Sequence, residues 1–261
     1  MNITFKWIGG ATWILQIDSV KIACDPVLCS EGHVQDYKYF KTTRLNSPVY
    51  NESDFKNVNL WLLTHNHEDH IDSKGFEMIE NDSVIISHKS LKSLFKNNIH
   101  KHLRFLKRND ESEISVDGVN INVKAVPAVH AKKSFLGNMV GNGNGYILEI
   151  TRSILIYRIY ITGDSVYNKK LKKNVGYANI DLIIANSGSA MAGRSLLSRI
   201  IGRITNNTGD IKKMNTDLNP GMIIPVHWGT FSHYSEIITD DSFKGYDNIK
   251  IINPGEIIEL F

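Results

Sequence analysis

The sequence predicts an α/β fold in which helices cover layers of β-sheet. Strand-like and helix-like stretches alternate from residue 60 to residue 97, a βαβ pattern that requires a sheet with helices packed on a face. Asp117-Gly118 stands between two apolar runs, 114–116 and 119–123, and is the strongest hairpin signal in the chain. A third regularity points to function: apolar strands repeatedly end in a turn that carries histidine or aspartate.

With 261 residues and 42% hydrophobic content the chain can bury a full core, and a single domain over 1–261 is expected. A formal net charge of +3 lacks the concentrated basic face of a dedicated nucleic-acid binder, so no nucleic-acid partner is expected, while small anionic substrates stay open. No uncharged apolar run approaches the ~18 residues that span a bilayer, so membrane contact is expected to be peripheral at most. The first 18 residues, with Lys6 and Gly9-Gly10, suit a first strand better than a signal peptide. Cys24 and Cys29 are too few and too widely spaced for a disulfide framework, and read as buried small residues in a reducing cytoplasm.

Residues 3–7, 12–17 and 20–23 read as short strands, the third ending at Asp25-Pro26. Proline stops the ladder and leaves Asp25 at a strand end, either as an ordinary turn aspartate or as a carboxylate hydrogen-bonded to a ligand histidine. Residues 30–55 lack clear periodicity and read as a long loop with Tyr37, Tyr39, Phe40 and Tyr50. Such a loop either walls a substrate pocket or folds against the body, and His33 in it is a loop histidine.

The apolar run Leu60-Trp61-Leu62-Leu63 leads into Thr64-His65-Asn66-His67-Glu68-Asp69-His70. His65 and His67 alternate on an extended backbone and so can reach one ion. Asp69 and His70 lie at the bend into a helix capped by Asp72 and can face a second ion about 3.5–4 Å from the first. Imidazole nitrogen with carboxylate oxygen suits zinc, and manganese or iron also accepts a mixed set. A zincin helix is excluded, because His67-Glu68 is followed by histidine at 70 rather than 71.

Farther on, 72–80 and 91–97 read as helices and 84–87 as a strand, with His88, His100 and His102 lacking ligand partners nearby. The second arm of the Asp117-Gly118 hairpin runs to Pro127-Ala128-Val129-His130, so His130 also follows a strand. Residues 146–150 and 153–161 form a further hairpin that ends at Thr162-Gly163-Asp164-Ser165. Residues 181–185 read as a strand, and 222–225 leads into Val226-His227-Trp228-Gly229-Thr230-Phe231. Lys169, Lys170, Lys172 and Lys173 read as a solvated helix face. Residues 191–204 read as an amphipathic helix packed through Leu196, Leu197, Ile200, Ile201 and Ile204, with Arg194, Arg199 and Arg203 open to a phosphate or a membrane surface. Strands sharing one rim would bring His65, His67, Asp69, His70, His130, Asp164 and His227 together.

This constellation resembles the metallo-β-lactamase superfamily, from Gly9-Gly10-Ala11-Thr12 and Asp25-Pro26 through to Asn253-Pro254-Gly255-Glu256. The resemblance implies a four-layered αββα sandwich with two divalent metal ions, zinc foremost, at one edge. It places His65, His67 and His130 on the first ion, Asp69, His70 and His227 on the second, and Asp164 between them. His227-Trp228-Gly229-Thr230-Phe231 is similar to the branch of N-acyl-phosphatidylethanolamine phospholipase D and the ascorbate-6-phosphate lactonases. Only 62 residues separate Asp164 from His227, too few for the extra domain of the β-CASP nucleases. Where phospholipase-like members carry a proline- and aromatic-rich loop, this chain reads Asn186-Ser187-Gly188-Ser189-Ala190-Met191-Ala192-Gly193, so the resemblance implies the chemistry rather than the substrate.

The expected function is a dinuclear hydrolase in which a hydroxide held between the ions attacks a phosphodiester or another small anionic or lipid-like ester, with a lactone as the alternative. Asp69 would aim that hydroxide, and either His233 or a metal-bound water would protonate the leaving group. Lys132 and Lys133, directly after His130, are placed to meet an anionic substrate or to remain solvated. A di-iron oxidoreductase on a similar scaffold would need a flavodoxin domain for which this length has no room, and a non-catalytic binding module would have lost ligands that are all present.

Overall fold

The computed structural model describes residues 1–37, 40–96, 100–128, 143–176, 179–191 and 202–261. Its first sheet contains β1 (Ile3–Gly9), β2 (Thr12–Ile17), β3 (Val20–Cys24), β6 (Leu60–Leu63), β7 (Val84–Ser87), β8 (His102–Phe105) and β15 (Ile257–Glu259), in the spatial order β15-β1-β2-β3-β6-β7-β8. The second contains β9 (Glu111–Val116), β10 (Val119–Ala128), β11 (Gly143–Arg152), β12 (Leu155–Ile161), β13 (Leu182–Asn186) and β14 (Met222–Val226), in the order β14-β13-β12-β11-β10-β9. Both sheets are mixed. Neighbours from β3 to β8 are parallel, as are β12, β13 and β14, and the remaining pairs are antiparallel.

Three apolar clusters separate four layers. Phe5, Leu15, Ile22 and Leu62 of the first sheet meet Val123, Leu148, Ile159 and Ile224 of the second. On the outer face of the second sheet, Tyr160, Ile183 and Ile223 pack with Leu171 and Val175 of α2 (Lys169–Val175) and with Ile211 and Met214 of α3 (Thr208–Leu218). On the outer face of the first, Ile14, Ala23, Trp61 and Ile85 pack with Ile71, Ile79, Leu91 and Phe95 around α1 (Ser73–Phe76). Alternation does the sorting: Leu62 and Ile159 face inward while their neighbours Trp61 and Tyr160 face the helical layers. The expected αββα sandwich is the observed fold.

Most strands match the sequence reading, and Asp117 and Gly118 both take positive φ (49° and 76°) as a two-residue hairpin turn demands. Four readings need correction. Residues 30–55 are not a structureless loop: β4 (Val34–Tyr37) and β5 (Phe40–Thr43) form a separate hairpin, and Glu52–Phe55 is a 3-10 turn. The buried positions of that hairpin are Gln35 and Thr42, so no apolar alternation marks it. The helix expected at 91–97 is a 3-10 turn over Lys89–Ser93, with His88 as its N-cap. At 191–204 the two ends pair as an antiparallel bridge, Met191 with Arg203, and Arg203 is taken up by Asp210 at 2.8 Å. Arg194, Arg199 and the apolar positions 196–201 lie outside the described residues.

The helix expected at 72–80 is held to one turn. Asp72 caps it, and the same carboxylate accepts from the backbone N–H groups of Leu28 and Cys29 at 2.8 and 2.6 Å, lashing α1 to the loop after β3. Gly75 makes that contact possible, since a Cβ there would lie 1.8 Å from the Pro26 carbonyl oxygen. Gly75→Ala is therefore expected to destabilise the protein by upwards of about 3 kcal/mol, measured by urea denaturation, because the obstacle is backbone and cannot rotate away. Among the described residues no helix is long and apolar enough to cross a membrane.

Candidate metal centre

β6 is buried along its whole length, and the chain leaves it at Thr64. From there exposure alternates: His65 is buried, Asn66 exposed, His67 half-buried and Glu68 exposed, before Asp69 and His70 turn inward. Nε2 of His65 lies 2.8 Å from Nδ1 of His67, so two ring nitrogens converge. The turn then closes through the N–H groups of His70 and Ile71, both bonded to the His67 carbonyl. His70 is thereby directed toward the second sheet, its ring centroid 4.1 Å from that of His65.

Asp25, at the end of neighbouring β3, is not an ordinary turn residue. It is buried, takes φ +41°, and accepts from the Thr64 N–H (2.8 Å), the Thr64 hydroxyl (2.6 Å) and Nδ1 of His70 (2.7 Å). With Nδ1–H bonded to a carboxylate, the nitrogen His70 can offer to a ligand is Nε2.

The second sheet delivers the partners for that nitrogen. Asp164, just past β12, places Oδ1 3.1 Å from His70 Nε2, and His227, directly after β14, places Nε2 2.9 Å from it. Asn186, the last residue of intervening β13, donates from Nδ2 to the same Asp164 oxygen at 2.9 Å. His227 adopts φ +69°, a left-handed conformation that costs a non-glycine residue on the order of 1 kcal/mol or more and persists where surrounding contacts hold it. One of those contacts is the Tyr234 hydroxyl, which lies against Nδ1 of His227.

Four of the seven expected residues therefore meet: Asp69, His70, Asp164 and His227 each offer a ligand atom within 4.8 Å of the others, and all four are buried. His65 and His67 pair beside them, and His130 lies outside the described residues, as do Lys132 and Lys133. His233 belongs to the same place, with Nε2 3.5 Å from Asp69 Oδ2 and Nδ1 2.8 Å from the Thr42 hydroxyl. Reading the sequence missed Tyr234, Thr42 and the role of Asn186. Asn186 had a signal, being the residue that ends a buried strand beside the Asp164 strand, whereas Tyr234 and Thr42 had none.

Burial works against charge on every member, and the neighbours decide the outcome. Burial would raise Asp164, but His70 and His227 hold it below the usual carboxylate range. Asp69, equally buried, is kept well below that range by the His233 hydrogen bond and by His70. His70 is pushed well above the ordinary imidazole value because Asp164 and Asp25 outweigh its burial. Burial dominates at His227 and lowers it to about 4, leaving that ring neutral at physiological pH. Burial, reinforced by Asp69, also pushes up the Tyr37 and Tyr234 phenols, so both stay protonated.

This donor set fits a divalent ion. Two imidazole nitrogens and two carboxylates face one another in a buried space, and among the described residues neither carboxylate is paired with lysine or arginine. A pair of buried carboxylates without such a cation calls for positive charge from elsewhere.

A family model described as a beta-lactamase superfamily domain matches residues 4–227. A UPF0173 metal-dependent hydrolase of Pyrococcus abyssi is 25% identical over 263 residues, covering 99% of this chain and 100% of that one. An uncharacterized protein of Mycobacterium tuberculosis is 23% identical over 240 residues, covering 88% of this chain and 59% of its own, so this chain spans about three fifths of that relative's length. Among solved structures, the isothiocyanate hydrolase from Delia radicum gut bacteria shares the fold with a TM-score of 0.77 at 23% identity over 98% of each chain.

Proposed function

The chain belongs to the beta-lactamase superfamily, and from that membership we propose that it is a metal-dependent hydrolase acting on a phosphodiester or another small anionic or lipid-like ester. A lactone is the alternative substrate, suggested by the same His227-Trp228-Gly229-Thr230-Phe231 run. The observation that carries the hydrolase reading is the convergence of Asp69, His70, Asp164 and His227 from two different sheets. In this reading those four would hold one divalent ion, and His65, His67 and His130 together with Asp164 would hold a second. Zinc suits the nitrogen-rich set best, with manganese or iron as substitutes. Bound ions would polarise the scissile carbonyl or phosphoryl group and bring the pKa of a water toward neutrality.

The chain's own groups then divide the work. Asp69, fixed on one oxygen by Tyr37 and facing His233 with the other, is placed to orient the attacking water. His233, anchored through Nδ1 by Thr42, is placed to give a proton to the leaving group from Nε2. His233→Ala is expected to lower kcat by about 10²-fold while bound metal stays at the parent level, read by steady-state kinetics beside elemental analysis. Two free, buried cysteines suit the reducing cytoplasm in which we place the protein.

Metal content and a substrate panel test the proposal together. The purified chain is reconstituted with zinc or manganese and offered bis-p-nitrophenyl phosphate, p-nitrophenyl acetate, simple lactones and an aryl isothiocyanate, the last because a protein of the same fold is an isothiocyanate hydrolase. Turnover that requires metal supports the hydrolase reading, and preference for the phosphodiester over the lactone selects the phospholipase-like substrate class. Less than one tightly held transition ion per chain after reconstitution rejects it.

A further inference from the structure

The β4–β5 hairpin sends its inward contacts to the candidate centre. In its register Gln35 pairs with Thr42, Asp36 with Lys41 and Tyr37 with Phe40. Gln35, Tyr37, Phe40 and Thr42 consequently share one face, while Asp36 and Lys41 form an exposed ion pair on the other. On the inner face one strand grips the metal turn and the other grips the segment after His227. Gln35 donates from Nε2 to the Glu68 carbonyl at 2.7 Å, and the Thr42 hydroxyl reaches Nδ1 of His233 at 2.8 Å.

Tyr37 holds Asp69 at both ends. Its hydroxyl donates to Asp69 Oδ1 at 2.6 Å and accepts from the Asp69 backbone N–H at 3.2 Å. The ring is itself immobilised, stacked on Phe40 with centroids 4.8 Å apart and planes 5° from parallel, and set edge-on to His67. A carboxylate whose Oδ1 is tied to a fixed donor cannot rotate about its last torsion. Its other oxygen, Oδ2, faces the cluster, 3.8 Å from His227 Nε2 and 3.5 Å from His233 Nε2.

We infer that Tyr37 is a positioning residue that decides how Asp69 meets a metal ion: by occupying Oδ1 it leaves Oδ2 as the coordinating atom and restricts Asp69 to monodentate binding. This rests on the metal-centre reading proposed above. Without the phenol, Asp69 can swing so that both oxygens face the ion or so that it pairs more closely with His233. A purely structural hydroxyl would change stability and leave the ion's coordination alone.

Cobalt(II) separates these cases, because its visible bands report coordination number and geometry. Tyr37→Phe keeps the ring and its stack on Phe40 and removes only the donor. The expected result is an altered visible spectrum of the Co(II)-loaded variant and a weakening of Co(II) binding by about 10–100-fold in competition with a chelator. Lys41→Ala, on the outward face of the same hairpin, is expected to keep the parental spectrum and affinity. Should Tyr37→Phe match the parent in both, Tyr37 does not set the coordination of Asp69 and the inference is overturned, while the metal-centre reading stands. A parent chain that takes up no Co(II) overturns both.

Discussion

Replacing Asp164 by alanine is expected to lower metal-dependent hydrolysis by about 10³-fold or more and to reduce tightly bound metal, because a water left without an ion is a far weaker acid than one bound to it. The size of the effect follows from position. Asp164 is buried, lies 3.1 Å from His70 Nε2 and 3.5 Å from His227 Nε2, and so links His70 of the first sheet to the second sheet. Elemental analysis and turnover of the same preparation check the expectation. Thermal denaturation adds an independent reading: metal at a thousand times its Kd should stabilise the parent by about 4 kcal/mol, and the variant should lose most of that gain. An Asp164→Ala protein that keeps parental metal content and rate would remove the residue from the centre.

The second large effect is expected at a residue that touches no metal. Asp25→Asn leaves the shape of the side chain almost unchanged but replaces one acceptor oxygen with a donor. Three donors now converge on that carboxylate: the Thr64 N–H, the Thr64 hydroxyl and Nδ1–H of His70. If the amide keeps its oxygen toward the Thr64 N–H, its NH₂ group faces His70 Nδ1 and drives the proton to Nε2, the nitrogen aimed at Asp164 and His227. If it lies the other way, NH₂ is set against N–H in a buried space, at a cost of about 1–3 kcal/mol. In the first and less strained arrangement folding is nearly untouched while metal affinity falls by about 10–100-fold, as expected of a residue that orients a ligand histidine. Chelator competition together with urea denaturation separates the two, and unchanged affinity would show that Asp25 does not govern the His70 tautomer.

The candidate ligands were legible because each is a polar residue at the end of an apolar strand, and both parts of that pattern are local. Leu60-Trp61-Leu62-Leu63 before His65, and the buried Met222–Val226 strand before His227, announce themselves in a few consecutive residues. The hairpin that carries Tyr37 does not, because its inward positions, Gln35 and Thr42, hydrogen-bond to the site instead of packing into an apolar core. Helix α3 was overlooked for a different reason. Its signals are in the sequence, with Asn207 and Asp210 as reciprocal caps and Ile211 and Met214 one turn apart, but they follow directly on an apolar stretch at 191–204 that drew the helix reading to itself.

By itself, the sequence determined which donor types this chain places at strand ends, and so the class of chemistry they can support. Tertiary structure alone decided which of them meet and how each is turned: His70 and His227 are 157 residues apart, and Asp25 lies 45 from the histidine it orients. Periodicity records the neighbours of a residue along one strand, whereas contact between two sheets depends on strand order and register, which no local window contains.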